Sequence, residues 1–330
     1  ILMSLDIKIN NVTETGLGLT IPAFRNDVTR EADVIEEILR VYGYNNINTT
    51  EKLNASISKT SRFEDYKLQN VIGDQLVAQG FFEILSNSLT SSKYIALTEQ
   101  LKTEHNVEIL NPLSKDLSVL RQSLLFSGLE AISYNINRKR DNLKLFEFGN
   151  TYHNFNGNRE EHKHLSVLVT GNRFNDRWTD STKQSDFFFL KGTITALLER
   201  LGITRFKSSP IDNALFSEGL SLGYGKIKLV DFGLVHKKIL KHFDVSQDVL
   251  YADFYWDHTL DIVQHNTITF KELPKYPEVR RDFALLLDEQ VAFEQIEAIA
   301  RQTEKQLLKE VDLFDVYQGK NLPKGKKSYA

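Results

Sequence analysis

Apolar positions near the start of the chain recur at every second residue. Leu5, Ile7 and Ile9 alternate with Asp6, Lys8 and Asn10, and after Gly16 and Gly18 the pattern resumes at Leu19 and Ile21, ahead of Pro22. That period predicts a small β element. From 29 to 42 the spacing changes to three and four: Val34, Ile35, Ile38 and Tyr42 make one apolar stripe, with Asp33, Glu36, Glu37 and Arg40 on the other side. A helix follows from this pattern, stopped by Gly43. Residues 48–60 are rich in Asn, Ser and Thr without an apolar period, which predicts a linker and a boundary near residue 55. Further on, helical spacing covers 63–79, 117–137 and 187–201, and strand patterns cover 143–153, 164–170, 226–235 and 249–256. Within 164–170, Leu165, Val167 and Val169 point one way, and Ser166, Leu168 and Thr170 the other, so the second face is only partly polar. An antiparallel sheet with helices against one face is the expected packing, an α+β arrangement. After 267 the order becomes strand (281–287), helix (293–305), strand (311–317), and Gly319, Pro323 and Gly325 turn the chain toward Lys326. This βαββ start is half of a ferredoxin-like unit, whose second helix and last strand are expected beyond residue 330.

Composition narrows the classes. With 330 residues, 41% hydrophobic and 26% charged, the chain can fill more than one core and is expected to form two or three domains. The absence of cysteine excludes disulfides, thiolate zinc sites and cysteine nucleophiles, and a reducing cytosol is the expected setting. No apolar run approaches the roughly 20 residues of a membrane span, and residues 1–10 lack the features of a signal peptide, so no membrane partner is expected. A formal net charge of -3 means that any contact with nucleic acid has to be a local patch. The chain opens on Ile1 in mid-pattern and closes on Lys326-Lys327-Ser328-Tyr329-Ala330, which reads as the start of a strand. A piece of a longer protein is the expectation.

The densest candidate chemistry lies around the first helix. Asp33 and Glu37 are neighbours at i and i+4, Glu36 flanks them, and Asp27 precedes the first turn. Hard oxygen ligands without His or Cys suit Mg²⁺ or Ca²⁺. The competing reading is that acids near a helix start are favoured by its dipole and pair with Arg25, Arg30 or Arg40. His162 and His164 share a strand face but have no third metal ligand at a suitable spacing. Ser123 and Ser127, with His105 and Asp116, make no nucleophile elbow. Gly219, Gly223 and Gly225 fit neither a phosphate loop nor a dinucleotide fingerprint, and a glycine-bearing turn is the better account. Phe187, Phe188 and Phe189 are assigned to the core at a helix start. Near the end Lys320, Lys324, Lys326 and Lys327 fall within eight residues, and Arg280 with Arg281 opens the first strand of the last segment. Such local charge is sufficient for phosphate contacts, although a charge run is usually only a solvated face.

The run Ile21-Pro22-Ala23-Phe24-Arg25-Asn26-Asp27-Val28-Thr29-Arg30-Glu31-Ala32-Asp33-Val34-Ile35-Glu36-Glu37, continuing to Arg40-Val41-Tyr42-Gly43-Tyr44, resembles the β subunit of bacterial-type phenylalanyl-tRNA synthetase. The likeness continues through Asn111-Pro112-Leu113-Ser114, Leu120-Arg121-Gln122-Ser123-Leu124, Leu145-Phe146-Glu147-Phe148-Gly149-Asn150 and Lys275-Tyr276-Pro277-Glu278-Val279-Arg280-Arg281-Asp282. It implies three parts. Residues 1–55 would be a partial, winged-helix-like module with a magnesium site at Asp27, Asp33, Glu36 and Glu37. Residues 56–266 would be an inactive domain on the class II aminoacyl-tRNA synthetase sheet, which pairs with a catalytic α subunit. Residues 267–330 would be a truncated ferredoxin-like anticodon-binding domain, with Arg280, Arg281, Lys320, Lys326 and Lys327 as its tRNA contacts. The implied partners are the α subunit in an α2β2 enzyme and tRNA-Phe, with Mg²⁺ as cofactor and ATP used by the α subunit.

Does the middle part keep the chemistry of its class? Such sites hold ATP with an Arg-x-Glu on a core strand and with an arginine ending a later glycine-rich strand. Arg159-Glu160-Glu161 fits the first in letters only, because 154–158 reads as a loop, and Arg62-Phe63-Glu64 opens a helix. Between Arg205 and Arg280 there is no arginine, and lysine lacks the planar fork that stacks on a base and grips phosphate together. Amino-acid activation by this chain is therefore not expected. Neither is proofreading, because the family's editing module would precede Ile1. The cut final domain should have an uncovered strand face, be mobile or poorly ordered, and not be relied on for tRNA binding. The rival functions are a free-standing nucleic-acid-binding module, opposed by the acids that would face phosphate, and a self-sufficient ligase.

Overall fold

Long antiparallel strands, each burying every second side chain, organise the larger part of the molecule. The computed structural model describes every residue except 49–54, 57–63, 176–177, 180–182, 212, 267–269, 271 and 320. It falls into two units, Ile1–His265 and Asn266–Ala330.

The first unit begins with a single turn, Leu2–Leu5, which the left-handed Asp6 (φ 60°) ends, so the strand starts later than the alternation suggested. Strands β1 (Lys8–Val12) and β2 (Leu17–Thr20) pair as a hairpin, and helix α1 follows (Glu31–Tyr42). Helix α2 (Asp65–Ala78) leads into β3 (Phe82–Glu83), the short pair β4 (Leu89–Thr90) and β5 (Val119–Leu120), and α3 (Leu125–Ile136). Next come β6 (Leu143–Phe155), β7 (Asn158–Thr170), α4 (Phe187–Arg200), β8 (Lys207–Pro210), β9 (Phe216–Tyr224) and β10 (Ile227–Val235). The unit closes with α5 (Lys237–His242), β11 (Val249–Tyr255) and α6 (Trp256–Val263). Seven strands form one sheet in the order β3-β6-β7-β11-β10-β9-β8, with β3 parallel to β6 and the other pairs antiparallel.

Register explains the two faces of this sheet. Phe146, Val167, Ala252, Phe232 and Leu220 lie opposite one another in turn across five strands. With the parallel row Phe148, Leu165, Phe254, Val230 and Leu222 they meet Ile72 and Leu76 of α2, Leu190, Ile194 and Leu197 of α4, and Trp256 of α6. Each fully buried large side chain contributes roughly 1.5–3 kcal/mol. The other face is divided. Half is covered by α3 and α5, where Leu125, Phe126 and Leu129 join Ile239, Leu240 and Phe243 over Leu145, Leu168 and Tyr251. The other half carries polar side chains.

Several local expectations change for physical reasons. The helix foreseen over 117–137 starts only at Leu125: Val119 and Leu120 pair with β4, and the Ser123 hydroxyl accepts the Leu125 N–H (3.2 Å). Asn156 (φ 53°) and Gly157 (φ 94°) are both left-handed, which permits a two-residue hairpin. Arg159 to Glu161 are therefore strand residues at an exposed hairpin tip, not a loop. Gly219 and Gly223 are also in a strand, and only Gly225 turns the chain. A Cβ on Gly233, the partner of Gly219 in the ladder, would lie 2.1 Å from the Glu218 carbonyl, so close strand approach is the demand here. Of the three phenylalanines opening α4, Phe187 and Phe189 pack on the core, while Phe188 is exposed. The linker foreseen over 48–60 lies almost wholly outside the described residues, as do Arg62 and Phe63.

In the second unit β12 (Leu285–Asp288), β13 (Val316–Tyr317) and β14 (Lys326–Tyr329) form an antiparallel sheet in the order β12-β14-β13, with helix α7 (Phe293–Thr303) between β12 and β13 in sequence. The third strand between the first two is the split arrangement that the βαββ order implied. The outer strands are shorter than their apolar patterns, with β12 beginning at Leu285 and β13 at Val316.

Candidate functional site

Of the four candidate acids at α1, Asp27, Asp33 and Glu37 are each held by an arginine. Asp33 accepts the backbone N–H groups of Thr29 (3.0 Å) and Arg30 (2.8 Å) and the Arg30 guanidinium (2.8 Å). The Arg30 guanidinium, with those backbone groups, holds its carboxyl well below the usual range. Arg25 bridges Asp27 (2.7 Å) and Glu37 (2.9 Å), and Arg40 takes the other oxygen of Glu37 (2.6 Å). Hydrogen bonds from Arg25 first, then from Arg40, lower Glu37, and Arg25 lowers Asp27. Glu36 is exposed. Among the described residues no three His, Asp or Glu side chains gather as a metal-ligand group. Oxygen donors of the right chemistry are present, but Asp27, Asp33 and Glu37 are held by guanidinium groups. As placed, with Glu36 pointing to solvent, the four do not fit a resident Mg²⁺. The converging set expected from helix spacing is instead the arginine-paired cluster that was its alternative.

On the polar half of the large sheet, register does what sequence spacing could not. Glu147, Ser166, Asp253, Asp231, Ser221 and Ser209 stand opposite one another in turn, a polar row across β6, β7, β11, β10, β9 and β8. At one end Glu147 is wholly buried and meets the guanidinium of Arg121 (2.8 Å), which also donates to the Asn150 carbonyl (3.0 Å). Ser86 completes the shell through its hydroxyl and its N–H. Gly149 makes this possible, since a Cβ there would sit 2.3 Å from the Arg121 guanidinium. The buried Arg121 guanidinium is thus engaged by Glu147, by Ser86 and by the Asn150 carbonyl.

Over the centre of the row lies a cavity of about 330 Å³, bordered by Thr151, His153, His164, Asp231, Tyr251 and Tyr255 among others. Asp231 is 3% exposed. One of its oxygens accepts from Lys228 Nζ (2.7 Å) and from the Tyr255 hydroxyl (3.0 Å). Burial, and then the neighbouring Asp253 and Asp231, push the Tyr255 phenol far up, so it stays a donor. His164 Nδ1 meets Asp253 at 2.7 Å; burial pulls the imidazole down, but the carboxylate outweighs this and the net shift is upward. His153 goes the other way, lowered to about 4 by burial and by the neighbouring His162 and His164. His162 is half-exposed beside Glu160 (3.2 Å) and is not joined to His164 at any metal-ligand group. Sequence reasoning missed Arg121, Glu147, Asp231 and Asp253. Arg121 and Glu147 stood inside the quoted motifs, but nothing in one dimension marks Asp231 and Asp253 as neighbours.

In the second unit Arg280 pairs with Asp282 (3.2 Å) and lies over Phe314, and Arg281 is exposed. Lys326 meets Asp288 (2.7 Å). Lys327 is buried with its ammonium 4.6 Å from the centre of the Tyr329 ring, which withdraws it from the proposed basic face. Lys320 lies outside the described residues. No described helix is long and apolar enough to cross a membrane.

Family models match along the chain. Residues 1–44 match the tRNA synthetase B5 domain, 49–256 the phenylalanyl tRNA synthetase beta chain CLM domain, and 274–330 the ferredoxin-fold anticodon binding domain. The chain is 45% identical to the phenylalanine–tRNA ligase beta subunit of Bacteroides thetaiotaomicron and 40% identical to that of Porphyromonas gingivalis. In both cases the match takes in 100% of this chain and 42% of the relative. A solved pyrrolysyl-tRNA synthetase from Desulfitobacterium hafniense aligns at a TM-score of 0.46 and 16% identity, over 60% of this chain and 68% of that one.

Proposed function

The chain belongs to the phenylalanyl-tRNA synthetase beta chain family, and from that premise we propose that it is a non-catalytic part of the β subunit, supporting ATP-dependent attachment of phenylalanine to tRNA-Phe by a catalytic α subunit. In this reading residues 1–55 form a winged-helix-like module, 56–266 an inactive class II synthetase-like domain that docks the α subunit in an α2β2 enzyme, and 267–330 an anticodon-binding domain. The exposed Arg280 and Arg281 are its best placed phosphate contacts. Magnesium enters only with the nucleotide used by the α subunit, since the arginine-held acids do not fit a resident ion. The cytoplasm is the setting for such an enzyme.

One observation carries the inactive assignment. The buried guanidinium on the polar side of the sheet, Arg121, is held by Glu147 and the Asn150 carbonyl, and the neighbouring cavity presents Asp231, Asp253 and Asp257, whose charge opposes a triphosphate. Two measurements test the reading. Phenylalanine-dependent ATP–pyrophosphate exchange by this chain alone should be at background; a clear exchange rate overturns the assignment. Size-exclusion chromatography with purified α subunit should give a stable complex, and failure to form one removes the docking role.

A further inference from the structure

We infer that the exposed basic side chains around α3 and α5 form a second surface for nucleic acid, which takes the phosphate backbone of an RNA helix. The choice of RNA rests on the function proposed above; the surface belongs to the first unit, whereas Arg280 and Arg281 belong to the second. Arg138-Lys139-Arg140 is the one run of three consecutive Lys or Arg in the sequence, and residues 131–140 contain no acid. Residues 232–243 contain none either, and they carry Lys237, Lys238 and Lys241. The fold brings both stretches to one side of the sheet. Ile132 of α3 and Ile239 and Leu240 of α5 share an apolar layer, and the Gln247 side chain donates to the Asp141 carbonyl (2.7 Å). All six cations are exposed, and none has an acidic partner among the described residues.

Local stability does not account for these charges. Arg138, just past the end of α3, and Lys241, in the last turn of α5, sit where a helix dipole favours a cation, but Lys237 and Lys238 occupy the first turn of α5, where it opposes one. Lys139 has a left-handed backbone (φ 63°), a conformation that favours glycine. Positive charge is therefore kept where the fold alone would replace it. Lysines and arginines free of carboxylates are what phosphate contacts need. The Arg138 guanidinium lies 3.4 Å from the centre of the exposed Tyr134 ring, and a cation paired with aromatic surface suits a polymer in which phosphates and bases alternate. A membrane is the poorer partner, because Ile239 and Leu240 are buried and α5 has no apolar side chain to insert.

The probe is a fluorescein-labelled RNA hairpin, titrated by anisotropy at several salt concentrations. The 330-residue chain carries Arg280→Gln and Arg281→Gln throughout, which removes the contacts proposed for the second unit, so that failure of those contacts is not mistaken for failure of this surface. RNA binding should persist with a Kd of roughly 1–100 μM near physiological salt. Adding Arg138→Gln, Lys139→Gln and Arg140→Gln should weaken it at least about tenfold and reduce the slope of log K against log salt by about 2–3. Lys237→Gln, Lys238→Gln and Lys241→Gln should do the same, and either set decides the matter if the other fails to fold. No RNA binding in the Arg280→Gln, Arg281→Gln background, an affinity and salt slope unchanged by both sets, or tighter binding of phosphatidylglycerol vesicles than of RNA through these cations overturns the proposal. The docking role is read from the α-subunit complex, which this titration does not use.

Discussion

The acidic helix of the first unit and the polar row of its large sheet both assemble carboxylates, and they neutralise them in opposite ways. In the helix each of Asp27, Asp33 and Glu37 has an arginine within 3 Å, drawn from a position two, three or twelve residues away. The pairs are local, and Asp27, Arg30 and Arg40 are well exposed, so they carry little specificity. In the sheet Glu147 and Arg121 are 26 residues apart and almost fully buried, and Asp231 faces Asp253 from a neighbouring strand. There a partner is obligatory, because desolvation multiplies the cost of leaving a charge alone. Density of acids along a sequence therefore marked the less consequential region, while single acids scattered among apolar strands marked the one that matters.

Four experiments would break or sharpen this contrast. The largest effect should come from Arg121→Ala, which strands the buried Glu147: urea unfolding should show a loss of about 3–5 kcal/mol, and a loss below 1 kcal/mol would mean that the pair is not buried as described. Gly233→Ala comes next, since the added methyl meets the Glu218 carbonyl; about 1–3 kcal/mol of stability should go, measured by the same titration.

A smaller effect is pH-dependent. The folded His153 is lowered to about 4, so below its ordinary value of 6.5 the unfolded chain takes up the extra proton and stability falls as pH drops from 6.5 toward 4. His153→Gln should remove about 1–2 kcal/mol of that acid-side loss. His164 has the opposite sign: raised in the fold, it contributes stability below 6.5 that fades as pH rises through its folded value. A His153→Gln profile parallel to that of the native chain would contradict the burial of the imidazole. The smallest effect should be Arg25→Met, a slight fall in Tm that disappears at 1 M salt, where the Debye length is about 3 Å; a large, salt-independent fall would make the helix cluster a buried structural device after all.

How far these features were legible depended on the range of the interaction. The α1 stripe of Val34, Ile35, Ile38 and Tyr42 announced the helix, and its alternative reading already named Arg25, Arg30 and Arg40 as partners of the acids, because neighbours on a helix are set by local geometry. The strands at 143–153, 226–235 and 249–256 were visible from alternation, and each extends within two residues of expectation. Phe216–Tyr224 was not visible, since its glycines imitate a turn and their need arises only from the neighbouring β10. The helix beginning at Leu125 was overestimated because Val119 and Leu120 find strand partners 29 and 31 positions earlier, at Thr90 and Leu89.

The sequence by itself determined the α+β class, the amphipathic first helix, the βαββ order of the last segment and the family resemblance. All of these are written in short-range periodicity and contiguous motifs. Only the tertiary structure decided which acids share a neighbourhood. A one-residue change of register would turn Asp231 and Asp253 into the apolar layer, and register is set by the packing of whole strands against α2, α4 and α6 rather than by any local pattern.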